Sequence, residues 1–160
     1  MRDALAIIAL LAAAPSAPWL DVPFVRQHRE GCGAASMAMV LRYWGRPADA
    51  GAIFRELYSP EERGIRASDM QPYLERQGFR AFTFKGEWDG LAAHIAKGRP
   101  LIVALREGRA LHYVVVAGIA DEYALVNDPA RRKLLRISRR DFEKRWHDGW
   151  TLLAVPADSP

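Results

Sequence analysis

The sequence contains a single cysteine, Cys32, among its 160 residues. Because a disulfide within the chain needs two cysteines, the fold has to be stable without one, even in an oxidising compartment. The four histidines are scattered and show no zinc-ligand spacing with Cys32, so we expect no metal and no other cofactor. The thiol is therefore available for chemistry.

The sequence also lacks an apolar run long enough to cross a bilayer. The run from Ala4 to Ala14 has eleven residues, whereas a spanning helix needs about 20. It follows Arg2 and precedes the small residues Ser16 and Ala17, a pattern typical of a signal peptide.

We therefore predict a signal peptide over residues 1–17 and one domain over residues 18–160, with cleavage after Ser16 or Ala17. Export to the periplasm or the cell exterior follows from this division. No cysteine lies near the cleavage point, so a lipoprotein is not expected. An uncleaved membrane anchor or a buried helix is the alternative for the N-terminal run.

The whole chain has a net charge of +4, and acidic residues are scarce in one of its segments. Residues 131–145 contain eight basic and two acidic side chains, a local charge of +6 that leaves −2 for the remainder. A solvated face is the ordinary explanation, and contact with anionic lipid is the lesser one. Aromatic residues do not alternate with the basic ones, so we expect no nucleic-acid partner.

The residues around Cys32 predict an amphipathic helix that begins at the cysteine. Apolar residues recur at the helical spacing i, i+3, i+4 and i+7, namely Met37, Val40, Leu41 and Trp44. Gly45 is placed to end the helix. Cys32 then lies on the first turn, where unpaired backbone N–H groups and the helix dipole favour a thiolate.

Two interpretations of Cys32 are open at this point. A lone cysteine on a helix is most often a small buried apolar residue. Gly31 and Gly33 flank it, however, and let a substrate carbonyl approach without meeting a Cβ atom. Gln27 lies five residues earlier, where its amide is placed to join the Cys32 backbone N–H in holding an oxyanion. These neighbours favour a reactive thiol.

A thiol nucleophile needs a base, and the base needs an orienting partner. His112 lies inside a predicted apolar strand, where a buried polar ring requires a hydrogen-bond partner. A functional base is one interpretation, and a structural histidine bonded to a backbone carbonyl is an equal alternative. His28 and His147 fall in polar segments, and His94 falls off the apolar stripe of its helix.

Asp128 is the candidate partner for the base. It ends a predicted strand beside Pro129, a rigid exit that would hold its carboxylate in place. Ordinary turn chemistry also favours Asp before Pro, and the neighbouring Asn127 is the substitute candidate.

Periodicity and turn signals divide the rest of the chain into a helical first half and a strand-rich second half. The predicted helices cover residues 47–58, 68–78, 88–98 and 138–146, with Ser68 and Gln71 forming a capping box and Ser138 an N-cap. The predicted strands cover residues 79–84, 101–105, 111–117, 123–127, 134–137 and 150–155. This order predicts an α+β fold with the cysteine in the helical half and His112 on an antiparallel sheet.

Several segments resemble one known family. They are Val-Pro-Phe-Val-Arg-Gln with the following Gly-Cys-Gly-Ala-Ala-Ser-Met-Ala-Met-Val-Leu-Arg-Tyr-Trp-Gly, then Leu-His-Tyr-Val-Val-Val-Ala-Gly, Val-Asn-Asp-Pro-Ala and Asp-Phe-Glu-Lys-Arg-Trp. They are similar to the bacteriocin-processing cysteine peptidases, family thirty-nine, which have a papain-like fold and cut leader peptides after a double glycine. The resemblance extends over residues 21–155.

The resemblance implies a cysteine endopeptidase that cuts exported peptides after small residues such as Gly-Gly. It assigns Cys32 as the nucleophile, His112 as the base, Asp128 as its orienting partner and Gln27 to the oxyanion hole. It also implies a peptide substrate with a helical leader.

This chain differs from the members fused to ABC exporters, which carry Asp immediately before the cysteine. Gly31 stands there instead, as in free-standing members of the family. The chain also has no Gly-rich Lys-Ser/Thr phosphate loop, so an ABC exporter acting with it is expected to be a separate protein. A non-catalytic peptide-binding module of the same fold is the alternative function, and amide hydrolysis or acyl transfer on a non-peptide substrate is another.

Overall fold

A computed structural model describes residues 17–159 of the chain. Its helices are α1 (Cys32–Tyr43), α2 (Ala50–Leu57), α3 (Ala67–Arg76), α4 (Trp88–Ala96) and α5 (Arg139–Arg145). Its strands are β1 (Tyr58–Ser59), β2 (Gly64–Ile65), β3 (Phe79–Lys85), β4 (Leu101–Glu107), β5 (Ala110–Ile119), β6 (Tyr123–Asn127), β7 (Leu135–Ser138) and β8 (Trp146–Pro156). The predicted α+β order, helices first and sheet second, is confirmed.

Six strands form one antiparallel sheet in the order β3-β8-β4-β5-β6-β7, while β1 and β2 form a separate hairpin. In this sheet Leu105 pairs with His112 across β4 and β5, and Val115 pairs with Asn127 across β5 and β6. These registers place the start of β5 beside the end of β6. His112 and Asp128, sixteen residues apart in sequence, are thereby brought to the same end of the sheet.

Apolar residues cover both faces of the sheet, because successive side chains of a strand point to opposite sides. Tyr113 and Val115 of β5 belong to the cluster that packs against α1, α2 and α3. Val114 and Val116 belong to a second cluster with Leu91 and Phe142 of the other two helices. The central strands are therefore buried on both sides, which holds the end of the sheet in a fixed position.

Helix α1 is almost entirely buried. Every residue from Gly33 to Leu41 is enclosed, whereas Cys32 at its first position is half-buried. The helix ends at Tyr43, and Gly45, the predicted stop, follows with a φ of +74°, a conformation that glycine adopts without strain. A buried helix of this kind is a rigid support for the side chain at its N-terminus.

The predicted capping box of α3 is wrong. The helix begins at Ala67, its N-cap position is Arg66, and no side chain caps it. Ser68 therefore lies within the first turn. The side chain of Gln71 accepts a hydrogen bond from the Thr83 backbone N–H in β3 instead, so a tertiary contact replaces the local one.

Two predicted boundaries also move. Helix α2 starts at Ala50 rather than at residue 47, because Asp49 caps it by accepting from the Gly51 N–H. Strand β8 starts at Trp146 rather than at residue 150, directly after α5. The cap of α5 is as predicted, since Ser138 accepts from the Asp141 N–H at 3.1 Å.

Within residues 17–159, no helix combines the length and the apolar character that crossing a membrane requires. The predicted signal segment and its cleavage point after Ser16 fall outside the described residues.

Candidate active site

The nucleophile candidate occupies the first position of α1. Gly31 is the N-cap residue, and the backbone carbonyl of Gly31 accepts the N–H of Ala35 at 2.9 Å to close the first helical turn. No side chain caps this end of the helix. The N–H groups of the first turn are therefore directed toward the region around Cys32, where they favour negative charge.

The glycine before the cysteine is required by the shape of the preceding turn. The N–H of Gly31 donates to the His28 carbonyl at 2.9 Å. A Cβ atom at position 31 would lie 2.8 Å from that same oxygen. Gly31 therefore permits a tight turn between Gln27 and Cys32, which a side chain at this position would force to shift.

His112 and Asp128 form the central pair of the site. His112 Nε2 lies 2.8 Å from Asp128 Oδ1, and both side chains are buried. Since Nε2 faces the carboxylate, Nδ1 is the ring nitrogen left to interact with Cys32, which lines the same cleft and acts on the pKa of the ring. The three side chains that sequence reasoning selected are thus adjacent in the fold.

The surroundings of His112 favour the imidazolium. Burial alone would lower the pKa of the ring, but the hydrogen bond to Asp128 and the contact with Cys32 outweigh it and raise the pKa to about 9. For Asp128, burial would raise the pKa, but hydrogen bonds from His112 and Arg131 lower it to about 2. The pair is therefore an imidazolium and a carboxylate over a wide pH range.

Asn127, the substitute candidate, is engaged elsewhere. Its amide donates to the Val22 carbonyl at 3.0 Å, and its oxygen accepts from the Leu134 N–H at 3.0 Å. The residue is fully buried. Asp128 directly follows β6 and its carboxylate bonds to His112, so only Asp128 of the two is directed toward the ring.

Gln27 lies beside the cysteine in the same cleft. Its backbone N–H donates to the Pro129 carbonyl at 3.0 Å, which joins this segment to the turn that follows Asp128. Its side-chain amide nitrogen donates to the Arg29 carbonyl, and its Oε1 is buried without a hydrogen-bond partner among the described residues. In this conformation the amide nitrogen is turned toward its own loop.

An open cleft of about 880 Å³ gives access to the site. The β1–β2 hairpin forms one wall and the β4–β5 turn forms the other, with Cys32 and His112 on the floor between them. Ile65 and Tyr113 line the cleft together with the nucleophile. A cleft of this size can hold an extended peptide segment.

The other histidines are placed differently. His28, His94 and His147 do not line the cleft, and burial lowers the pKa of His94. In the described part of the chain, one group of side chains could approach metal-ligand geometry, namely Glu107, His112 and Asp128. Their ligand atoms lie within 4.8 Å of one another. Two arginines already bind the Glu107 carboxylate, so it is not available as a metal ligand.

Sequence reasoning missed Arg131 and Glu107. Arg131 lies in the basic segment that was interpreted as a solvated face, yet its Nη1 contacts Asp128 Oδ2 at 2.6 Å and Glu107 Oε1 at 2.9 Å. Arg145 of the same segment reaches Glu107 Oε1 at 3.0 Å. Glu107 comes from β4, so only the folded sheet brings these charges together and no local pattern reveals them.

The sequence matches the Peptidase C39 family model over residues 21–159. It is 31% identical over 124 residues to the lactococcin-G-processing and transport ATP-binding protein LagD of Lactococcus lactis subsp. lactis. That match covers 76% of this chain but only 17% of LagD, so the chain corresponds to a small part of the transporter.

Solved structures show the same fold. The peptidase domain of Streptococcus ComA, described as a bifunctional ABC transporter in a quorum-sensing pathway, matches with a TM-score of 0.73 at 25% identity, covering 84% of this chain and 98% of the domain. A double glycine motif protease from an AMS/PCAT transporter, in complex with its leader peptide, matches with a TM-score of 0.72 at 25% identity, covering 86% and 94%.

Proposed function

This chain belongs to the Peptidase C39 family of cysteine peptidases, and from that premise we propose that it cuts exported peptides after a pair of small residues such as Gly-Gly. The observation that carries the proposal is the 2.8 Å hydrogen bond between His112 and Asp128 beside Cys32, on the floor of an open cleft. One relative named above is a lactococcin-G-processing protein, and another is a double glycine motif protease solved with a leader peptide, which supports this substrate class.

In the proposed reaction the Cys32 thiolate attacks the carbonyl carbon of the residue before the scissile bond. The tetrahedral intermediate collapses as the His112 imidazolium gives its proton to the leaving amine, which leaves a thioester. His112 then takes a proton from water, whose oxygen attacks the thioester and releases the acid product and the thiolate. Asp128 keeps the ring in the tautomer that both steps need.

The developing oxyanion needs hydrogen-bond donors that point at it before the reaction starts. The Cys32 backbone N–H at the uncapped end of α1 supplies one, and the Gln27 amide supplies the second. Gln27 has to rotate its amide nitrogen from the Arg29 carbonyl into the cleft for this role. The rotation gives up the bond to the Arg29 carbonyl but no bond of Oε1, which has no partner among the described residues.

A small residue before the bond is supported by the double glycine motif protease named above and by the side chains that line the cleft at the thiol. Ile65 and Tyr113 line the cleft with Cys32, so they occupy space that a large side chain before the bond would need. Excluding extra methylenes in this way discriminates by about ten- to two-hundredfold per group. Further recognition would come from an amphipathic helical leader bound at a distance from the bond.

Cleavage of two peptides tests the proposal. One carries an amphipathic helix that ends in Gly-Gly, and the other is a short Gly-Gly peptide without the helix. We expect the first to be cut efficiently, the second poorly, and neither by Cys32→Ala. Equal cleavage of both peptides would contradict leader binding, and a preference for a bulky residue before the bond would contradict the substrate class.

A measurement that needs no substrate distinguishes the peptidase from the alternative, a non-catalytic peptide-binding module. A reactive Cys32 is alkylated rapidly by iodoacetamide near neutral pH, whereas a structural thiol is alkylated slowly. Slow alkylation together with tight binding of the leader peptide would favour a peptide-binding module. Fast alkylation without peptide cleavage would favour a non-peptide amide or ester substrate.

We also propose that the protein acts after export, in the periplasm or outside the cell, together with a separate ABC exporter that delivers its substrate. The apolar run after Arg2 supports export. N-terminal sequencing of the purified protein tests it, and a start at Ala17 or Pro18 is the expected result. An intact Met1 on protein from the cytoplasm would contradict it.

A further inference from the structure

Two carboxylates approach the His112 ring. Asp128 Oδ1 binds Nε2 at 2.8 Å, and the Glu107 carboxylate from β4 lies within 4.8 Å of both groups. Two carboxylates this close repel each other, and the usual result is that one of them takes up a proton. A proton shared between them would weaken Asp128 as the acceptor for His112.

One guanidinium stands between the two carboxylates. Arg131 Nη1 contacts Asp128 Oδ2 at 2.6 Å and Glu107 Oε1 at 2.9 Å. The Asp128 carboxylate then takes part in three hydrogen bonds, since its Oδ1 also accepts the Ala130 N–H at 3.0 Å. Of the two acids Arg145 contacts only Glu107, so Arg131 is the basic side chain that bridges both acids among the described residues.

The same turn supports the oxyanion segment. The Arg131 carbonyl accepts from the Arg26 guanidinium at 3.1 Å, and the Pro129 carbonyl accepts from the Gln27 N–H at 3.0 Å. A change in the turn from Asp128 to Arg131 would therefore move both the Asp128 carboxylate, which binds His112, and the loop before Cys32.

We propose that Arg131 is a positioning residue, which keeps Asp128 and Glu107 both charged and apart so that Asp128 alone orients His112. This inference rests on the triad roles proposed above. Arg131 does not line the cleft, so it acts through Asp128 and not on the substrate. The titratable groups that face His112 are Cys32 of α1, Glu107 of β4 and Asp128 after β6.

The effect of removing Arg131 on pH dependence has a definite sign. Without the guanidinium, Asp128 loses a hydrogen bond to its charged form and faces the unneutralised Glu107, and both changes raise the pKa of Asp128 from about 2. The extra negative charge also disfavours the Cys32 thiolate. Both effects move the acidic limb of the pH profile, that is, of the rate of Cys32 alkylation plotted against pH, toward higher pH.

The test measures the rate of Cys32 alkylation by iodoacetamide against pH for Arg131→Gln, Arg131→Lys and the neighbouring exposed Arg132→Gln. We expect the acidic limb of Arg131→Gln to move up by roughly one pH unit. The lysine variant should restore much of the shift, and Arg132→Gln should match wild type. Adding Glu107→Gln to Arg131→Gln should move the limb back, because the second carboxylate is gone.

Peptide cleavage supplies a second readout. We expect Arg131→Gln to lower kcat by up to about a hundredfold with KM unchanged, since misplacing a catalytic group acts on the chemical step. If Arg131→Gln and Arg132→Gln have the same alkylation profile and kcat, Arg131 has no positioning role. If Arg131→Gln does not fold, as judged by circular dichroism, Arg131→Lys carries the test. The cation that lysine keeps should leave its alkylation profile close to wild type, and an acidic limb moved up by the full unit in folded Arg131→Lys would reject the role.

Asp128→Asn separates this inference from the proposed function. If Asp128→Asn leaves the alkylation profile unchanged, the triad role of Asp128 is wrong, whatever Arg131 does. If Asp128→Asn shifts the profile and Arg131→Gln does not, only the role of Arg131 is rejected.

Discussion

Ser36 donates a hydrogen bond from its buried hydroxyl to the backbone carbonyl of Tyr113, at 3.2 Å. Ser36 lies one turn after Cys32 on α1, and Tyr113 follows His112 on β5. The bond therefore connects the two elements that carry the thiol and the imidazole. It sets the distance between them through the backbone and not through the reacting side chains.

Ser36→Ala should lower the free energy of unfolding by about 1 kcal/mol, the usual net contribution of a hydrogen bond. In a domain of this size the melting temperature would fall by about 2 to 4 °C. Ser68→Ala is the matched control, because Ser68 forms no cap in α3 and should be neutral. Thermal melting checks both, and an equal loss in the two variants would contradict the Ser36 contact.

The rate of peptide cleavage should fall on the alkaline side near pH 9, where the imidazolium of His112 loses its proton. The folded pKa is raised above the ordinary 6.5, so the stability that the charged ring contributes is complete below about 6.5 and is lost as the pH rises through about 9. Rates of peptide cleavage and urea unfolding between these pH values check both statements. A stability decline that persists in His112→Ala would have another origin.

Asp128→Asn and Asn127→Ala should have opposite effects. The first loses the partner of His112 and should lower kcat by up to about ten-thousandfold, less than Cys32→Ala does. The second loses buried bonds to Val22 and Leu134 and should cost about 1 to 3 kcal/mol of stability, with turnover of the folded protein close to wild type. Activity of Asp128→Asn equal to wild type would remove Asp128 from the site.

Gln27→Ala should reduce kcat by about a hundredfold to a thousandfold if its amide serves the oxyanion. The melting temperature should not change, because the side chain bonds only to the Arg29 carbonyl of its own loop. His28→Ala, an exposed neighbour, is the control and should be fully active. Full activity of Gln27→Ala would leave Cys32 with another oxyanion donor.

Three glycines should respond differently to alanine. Gly31→Ala places a Cβ atom 2.8 Å from the His28 carbonyl and should cost about 1 to 3 kcal/mol while slowing alkylation of Cys32. Gly90→Ala, in α4 with open space around it, should be neutral or stabilise by up to about 1 kcal/mol. Gly33→Ala should fall between them, since its nearest contact is 3.3 Å. Denaturant unfolding of the three variants checks the order.

The sequence alone determined the α+β class, the start of α1 at Cys32, the helix stop at Gly45 and the cap at Ser138. These features depend on neighbours within about one or two helical turns, so periodicity and capping chemistry reveal them. The resemblance to the family of bacteriocin-processing peptidases is likewise confirmed. The catalytic roles of Cys32, His112, Asp128 and Gln27 stay predictions that the variants above test.

Only the tertiary structure decided which acid His112 meets. Asn127 and Asp128 are equivalent as neighbours in sequence, but the register of β5 and β6 points one toward Val22 and the other toward His112. Likewise, Gln71 bonds to β3 and Arg131 bridges to Glu107, because packing brings distant segments within reach. Such contacts depend on strand pairing across long separations, which no local pattern in the chain encodes.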